Sequence, residues 1–176
     1  ESLYFLKTNE KKLLIKVPQF IYFTKKDYIK NPKKIFNTIK NIFKKKKIII
    51  RSSSLQEDNV NQSFAGKFKS FNNLTVKYEV VTKYVDKIID DFKNKNDQII
   101  VQEFILKPEL SGVIFTRNIN NNSPYYTINF DRSGFTNLVT SGSFNPLMQT
   151  IIIKRETKYS KFFNKELKSV KKIETL

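Results

Sequence analysis

The segment whose residue types are best suited to chemistry starts at Arg51, directly after the apolar residues 48–50. An arginine at the exit of a buried strand offers a planar fork of donors that suits phosphate oxygens. Serine hydroxyls and a flexible glycine supply further donors, so the segment predicts a phosphate site. A strand-end arginine beside a polar turn, oriented by nearby carboxylates, has the same pattern and remains the alternative. The residues are Arg51-Ser52-Ser53-Ser54, then Glu57-Asp58, then Ser63-Phe64-Ala65-Gly66.

Composition excludes several other kinds of site. The chain has four glycines, and neither G-x-x-x-x-G-K-[ST] nor G-x-G-x-x-G occurs, which excludes a P-loop and argues against a Rossmann or kinase glycine loop. It has no cysteine and no histidine, which excludes disulfides, thiolate or histidine metal sites, a serine–histidine triad and a phosphohistidine within this chain. Acid–base chemistry here would fall to Asp, Glu, Lys or Tyr.

The net charge of +17 and the pI of about 9.9 leave three interpretations open. Lys, Ile, Asn, Phe and Tyr are all abundant, which favours the bias of AT-rich coding. The charge could instead attract ATP, or form a nucleic-acid surface around Lys44-Lys45-Lys46-Lys47. We favour the bias, and therefore expect neither a nucleic acid nor a membrane among the partners. No apolar run approaches the ~20 residues of a membrane helix, which suits a cytoplasmic protein.

Hydrophobic periodicity predicts an α+β chain with an antiparallel or mixed sheet after a more helical first part. One helix is predicted from Asn31-Pro32 to about Phe43, because proline favours the first helical position and the apolar residues recur at helical spacing. The further predicted helices are residues 80–92 and 159–173. The predicted strands are residues 20–24, 48–50, 99–106, 112–116, 125–130 and 150–154.

The Arg51 segment resembles the ATP-grasp domain of the phosphoenolpyruvate synthase and pyruvate phosphate dikinase family. That domain carries V-R-S-S-A-x-x-E-D-x-x-x-x-S-F-A-G, and the residues quoted above have the same order and spacing. The resemblance extends in order along residues 1–155. The other matching stretches are Val17-Pro18, Val101-Gln102-Glu103-Phe104-Ile105, Ser111-Gly112-Val113-Ile114-Phe115-Thr116, and Gly142 with Asn145 and Pro146.

The resemblance implies an ATP-grasp fold with two lobes around a nucleotide cleft, residues 1–95 and 96–176, and ATP and Mg²⁺ as cofactors. Arg51 and Ser52 would contact the ATP phosphates, and a loop containing Ser63, Gly66 and Ser70 would close over them. Adenine would be held, largely through backbone groups, by Gln102, Glu103, Phe104 and Ile105. Arg117 is a further phosphate candidate, and Asn137 and Gln149 would lie on the metal side.

Three departures from the family pattern predict that the chain is a fragment of a longer protein. Asn137 stands where the family has a metal-binding carboxylate, an expected lysine would lie before Glu1, and the histidine that carries phosphate is absent. A phosphohistidine domain of the same full-length protein would then pass phosphate to a small-molecule acceptor. The chain is most similar to members from surface-polysaccharide clusters, such as a glutamine kinase of capsule biosynthesis. The alternatives are a basic nucleic-acid-binding module and a degenerate nucleotide-binding domain without catalysis.

Overall fold

The computed structural model describes residues 2–53, 69–118, 121–134 and 148–154. Within these ranges helices occur together with strands that all pair in antiparallel fashion, which confirms the α+β class. None of the described helices is long and apolar enough to cross a membrane. The helices are α1 (Ser2–Thr8), α2 (Glu10–Leu13), α3 (Lys25–Lys30), α4 (Pro32–Phe43) and α5 (Tyr78–Ile89). The strands are β1 (Phe20–Thr24), β2 (Ile48–Ser53), β3 (Ser70–Leu74), β4 (Gln98–Glu103), β5 (Ser111–Phe115), β6 (Tyr125–Asp131) and β7 (Gln149–Lys154).

Six predicted strands and two predicted helices are present near their predicted positions, whereas α1, α2, α3 and β3 were not predicted. β3 has the sequence Ser-Phe-Asn-Asn-Leu, in which only Phe71 favours strands, so its propensity is weak. Its register with β2 shifts between Ile48 and Ile50, and Asn73 adopts a left-handed φ of 56° there. The predicted helix at residues 159–173 lies outside the described residues.

The chain divides into two compact units, one of residues 18–106 and one of residues 1–17 with 107–176. The first unit contains a four-stranded sheet in the order β1-β4-β2-β3. The sequence placed a lobe boundary between residues 95 and 96, but β4 is hydrogen-bonded to both β1 and β2. Residues 96–106 therefore belong with the first unit, and the assignment of two ATP-grasp lobes stays a prediction.

α4 forms because its ends are capped and one of its faces is apolar. Pro32 occupies the first helical position, and the Asn31 side chain accepts a hydrogen bond of 3.0 Å from the Lys34 N–H. The helix ends at Phe43, because the next residue, Lys44, has a left-handed φ of 47°. Ile39 and Phe43 are fully buried, so this face of α4 anchors the helix on the first sheet.

The core of the first unit lies on one face of its sheet. Alternate residues of β2 and β4 point to this face, and α4 and α5 cover it. Burying a side chain of this size contributes about 1.5–3 kcal/mol, so this face holds the sheet in place. The buried residues are Phe23, Tyr28, Ile39, Phe43, Ile48, Ile50, Val81, Val85, Ile88, Ile89, Phe92, Ile99 and Val101.

The second unit contains a three-stranded antiparallel sheet in the order β5-β6-β7. Gly112 of β5 lies opposite Phe130 of β6, and a Cβ at Gly112 would stand 2.6 Å from the carbonyl oxygen of Asn129. Only glycine permits this close approach of the two strands. Tyr126 and Asp131 of β6 are buried, and Asp131 accepts hydrogen bonds from the N–H and the hydroxyl of Ser133.

Candidate functional site

Arg51 is held on β2 by the burial of its two neighbours. Ile50 and Ser52 point to the core face, so strand alternation turns the Arg51 side chain to the opposite face, where it is exposed. Within the described part of the chain, no hydrogen bond or ion pair engages the guanidinium. Glu57 and Asp58, its predicted orienting carboxylates, lie outside the described residues. Arg51 therefore presents a charged donor group on a backbone that its buried neighbours hold in place.

The face that carries Arg51 also carries Gln102, and we call it the outer face. Arg51 lies opposite Ile100 of β4, and Ile100 lies opposite Tyr22 of β1. Gln102 is two residues beyond Ile100, so Arg51 and Gln102 are diagonal neighbours across the two strands, typically about 7–8 Å apart. The outer face thus brings together the predicted phosphate arginine and the first predicted adenine residue. Tyr22, which is 58% exposed, adds an aromatic ring that the sequence did not single out.

Ser70 lies on the outer face with Arg51, whereas Ser52 does not. Ser70 is the first residue of β3 and lies directly opposite Arg51. Ser52 points to the core face, where it is 7% exposed. Its N–H donates to the Lys69 carbonyl at 3.1 Å and its hydroxyl to the same oxygen at 3.4 Å. The Ser52 side chain is therefore occupied on the far side of the sheet from the guanidinium.

The predicted adenine stretch, residues 102–105, extends beyond the end of β4. The backbone N–H groups of two of its residues already donate hydrogen bonds within the protein. The Glu103 N–H donates to the Gln19 carbonyl at 2.9 Å, and the Phe104 N–H donates to the Lys47 carbonyl at 2.9 Å. The β ladder thus continues one step past the strand. A purine bound at this edge would need the N–H of Ile105 or carbonyl oxygens in this stretch. Ile105 is 51% exposed, which leaves room for a ligand.

Lys46 forms a contact with this stretch that the sequence did not reveal. Its Nζ lies 2.8 Å from Oε2 of Glu103, joining the turn between α4 and β2 to the end of β4. The charged run at residues 44–47 was the available signal, but its partner lies far away in the sequence. Because both side chains are partly exposed, the pair itself stabilises the fold by at most about 1 kcal/mol.

Arg117 and Gln149 belong to the second unit. Arg117 follows β5, is exposed, and donates to the Asn122 carbonyl at 3.3 Å, which closes the turn before β6. Gln149 is the exposed first residue of β7 and lies opposite Phe130. Ser63, Gly66 and Asn137 lie outside the described residues. In the ranges that the structure does describe, no group of three or more His, Cys, Asp or Glu could hold a metal ion.

Two comparisons with known proteins agree with the sequence resemblance. Residues 24–97 match the sequence model of the family described as pyruvate phosphate dikinase, AMP/ATP-binding domain. This range contains Arg51 and Ser70 and ends before Gln102. The chain is also similar to the uncharacterized phosphotransferase YvkC of Bacillus subtilis (strain 168), with 28% identity over 124 residues. The match covers 62% of this chain and 15% of that relative. Residues 24–97 are therefore similar to an AMP/ATP-binding domain, which supports the resemblance read from the Arg51 segment.

Proposed function

We propose that this chain is the nucleotide-binding part of a phosphotransferase of the phosphoenolpyruvate synthase and dikinase type, with ATP as phosphoryl donor. The observation that carries the proposal is the exposed Arg51 on the outer face, inside the range that matches an AMP/ATP-binding domain. The similarity to a phosphotransferase supports the reaction class. The ATP-grasp fold, with its two lobes, is part of the same proposal.

ATP would lie along the outer face with its phosphates at Arg51 and its base near Ile105. The guanidinium of Arg51 offers a planar fork of donors that suits phosphate oxygens. Ser70, opposite Arg51, adds a hydroxyl donor at the same point of the sheet. Phosphoryl transfer depends mainly on such positioned charges and donors, because they stabilise the charge that develops on the transferred group.

Magnesium is the proposed metal, and it would neutralise charge on the ATP phosphates when bound. Asn137 and Gln149 would offer amide oxygens, which are suitable hard ligands that bring no charge. Gln149 is exposed at the start of β7, where its amide is accessible. With neutral ligands, metal affinity would depend largely on the phosphates of ATP. A degenerate nucleotide-binding domain without catalysis would also have neutral amides at these two positions.

The acceptor lies outside this chain in the proposal. The chain contains no histidine, so a phosphohistidine must come from another domain of a longer protein. L-Glutamine, in capsule biosynthesis, is the acceptor that the sequence resemblance favours. A cytoplasmic location fits that role.

Calorimetric titration of Mg-ATP into the chain tests nucleotide binding. We expect saturable one-to-one binding that Arg51→Ala weakens at least tenfold, which is about 1.4 kcal/mol. Arg132→Ala is the matched control, because Arg132 is also exposed and its loss changes the net charge equally. Equal weakening by both variants would assign the effect to overall charge. Absence of saturable binding by the folded chain would refute the proposal.

A further inference from the structure

Positive charge is concentrated on one segment of the first unit. Residues 25–47, which form α3, α4 and the turn that follows, contain ten lysines and one acidic residue. The whole chain has 33 basic and 16 acidic residues, a ratio of about two to one. The segment is therefore far more basic than the composition of the chain requires.

The neighbouring helix shows that coding bias does not explain this concentration. α5 packs beside α4 on the same face of the same sheet. Residues 78–97, which contain α5 and the turn after it, carry five acidic residues and four lysines. A bias toward lysine codons acts on both segments alike. The difference between them places the positive charge on one side of the unit.

Exposed lysines lie along α4 and in the turn that directly follows it. Lys33 and Lys40 are seven residues apart and share one face of α4, beside the buried Phe43, and Lys34 lies next to Lys33. Lys44 and Lys45 follow directly after the last helical residue, and all five lysines are exposed. We call these five residues the α4 basic stripe. Across the described parts of the chain, no ion pair joins any of them to a carboxylate.

The stripe is long enough to contact several phosphates of a nucleic-acid backbone. From Lys33 to Phe43 the helix rises about 15 Å, at 1.5 Å per residue. The phosphates of one duplex strand advance about 3.4 Å each along the axis while they wind around it, so only some of those within this length face the lysines. Asn37 and Asn41 lie between the lysines and are exposed, and amide side chains are common phosphate donors.

We infer that the α4 basic stripe is a docking surface for the sugar–phosphate backbone of a nucleic-acid duplex, bound without sequence preference. The stripe contains lysines and no arginine, and a lysine binds phosphate as a point charge, a contact that carries no sequence information. The aromatic residues of residues 25–47 are Tyr28, Phe36 and Phe43, and none is exposed. Stacking on unpaired bases, the usual way of holding single strands, is therefore not available on this surface.

Fluorescence anisotropy with a labelled 20-base-pair DNA duplex of mixed sequence tests the inference on the whole chain. The stripe variant is Lys33→Gln/Lys40→Gln/Lys44→Gln. The matched control is Lys83→Gln/Lys93→Gln/Lys95→Gln, which removes the same charge from exposed positions around α5. At 50 mM salt we expect the stripe variant to bind at least tenfold more weakly and the control to change less than threefold. The slope of log affinity against log salt should fall by about three in the stripe variant, about one per lysine.

Each other outcome overturns the inference. Equal weakening by the two variants would mean that overall charge, not the stripe, binds DNA, as would absence of binding by the wild-type chain. Tighter, stripe-dependent binding of a poly-glutamate peptide would assign the surface to an acidic protein partner instead. Tighter binding of a single strand than of the duplex would contradict the backbone geometry. Mg-ATP affinity should be unchanged in the stripe variant, so the DNA-binding result is independent of the nucleotide proposal.

Discussion

Arg51 of β2 lies directly opposite Ser70 of β3 in antiparallel register. The two residues stand at the two ends of the segment that resembles the phosphate loop of the dikinase family. Because the strands pair at this point, the chain leaves the sheet after β2 and returns to it beside Arg51. The outer face therefore holds both ends of the intervening segment at one place.

Removal of the Ser70 hydroxyl should weaken ATP binding without unfolding the protein. Ser70 is exposed, so we expect Ser70→Ala to change the free energy of unfolding by less than about 0.5 kcal/mol. Loss of one hydrogen bond to a charged phosphate should cost about 1.5 kcal/mol of binding, roughly tenfold in Kd. Titration calorimetry measures it. Thr75→Val, which removes an exposed hydroxyl just after β3, should leave Kd unchanged, and an equal loss there would contradict a specific role for Ser70.

Recognition of the base should depend on the backbone N–H of Ile105. The N–H groups of Glu103 and Phe104 are already donated to Gln19 and Lys47, so Ile105 offers the next one. Ile105→Pro removes it, and we expect the Kd for ATP to rise at least tenfold, because proline lacks the donor. Ile105→Ala keeps the N–H and should stay within threefold of wild type. If calorimetry shows that both variants raise the Kd equally, the Ile105 side chain contacts the base. If neither variant raises the Kd, neither the N–H nor the side chain of Ile105 contacts it.

Gly112 should be intolerant of even a methyl group. A Cβ at this position would lie 2.6 Å from the Asn129 carbonyl oxygen, so β5 and β6 must separate or lose register. We expect Gly112→Ala to lower the free energy of unfolding by about 1–3 kcal/mol, as overpacking typically does. Urea unfolding followed by circular dichroism measures this. Thr116→Ala, at an exposed position after β5, should change stability by less than about 0.5 kcal/mol, and a similar loss in both would point to a general effect of the strand end.

The start of α3 should contribute a pH-dependent part of the stability. The Thr24 hydroxyl and N–H both donate to the Asp27 carboxylate, at 2.6 Å and 3.0 Å, and these bonds hold the pKa of Asp27 below its ordinary value of 3.8. A lowered folded pKa stabilises the protein above the ordinary value, and the contribution is lost as pH falls through the folded value. The difference in urea midpoint between wild type and Asp27→Asn should therefore be largest near pH 7 and shrink below pH 3.8.

Thr24→Val provides the control for this pH effect, because it removes the hydroxyl donor and keeps the backbone N–H. In that background the Asp27→Asn difference should depend less on pH. The same pH dependence with and without the hydroxyl would show that Asp27 is stabilised by something other than Thr24. Both residues are at the surface of the first unit, so the variants should fold.

Local signals predicted most of the elements of the first unit. α4 is defined within the sequence by Asn31, Pro32 and a 3.6-residue apolar pattern, and each of these acts over a few residues. β3 was not predicted, because two adjacent asparagines lower its strand propensity. Its pairing with β2 stabilises it as a strand. The lobe boundary after residue 95 placed β4 with the later strands, because a sequence shows that a segment is a strand and does not show its neighbours.

The sequence by itself determined the α+β class, the helix α4, most strands and the segment around Arg51 that resembles a nucleotide-binding domain. These follow from residue types and short periodic patterns, which act locally. Only the tertiary structure decided that Arg51, Ser70 and Gln102 share the outer face, that Ser52 turns away from them, and that the Glu103 and Phe104 donors are occupied. Strand register decides these points, because a shift of one residue moves every side chain to the other face. That register is set by pairing between strands that lie far apart in the chain.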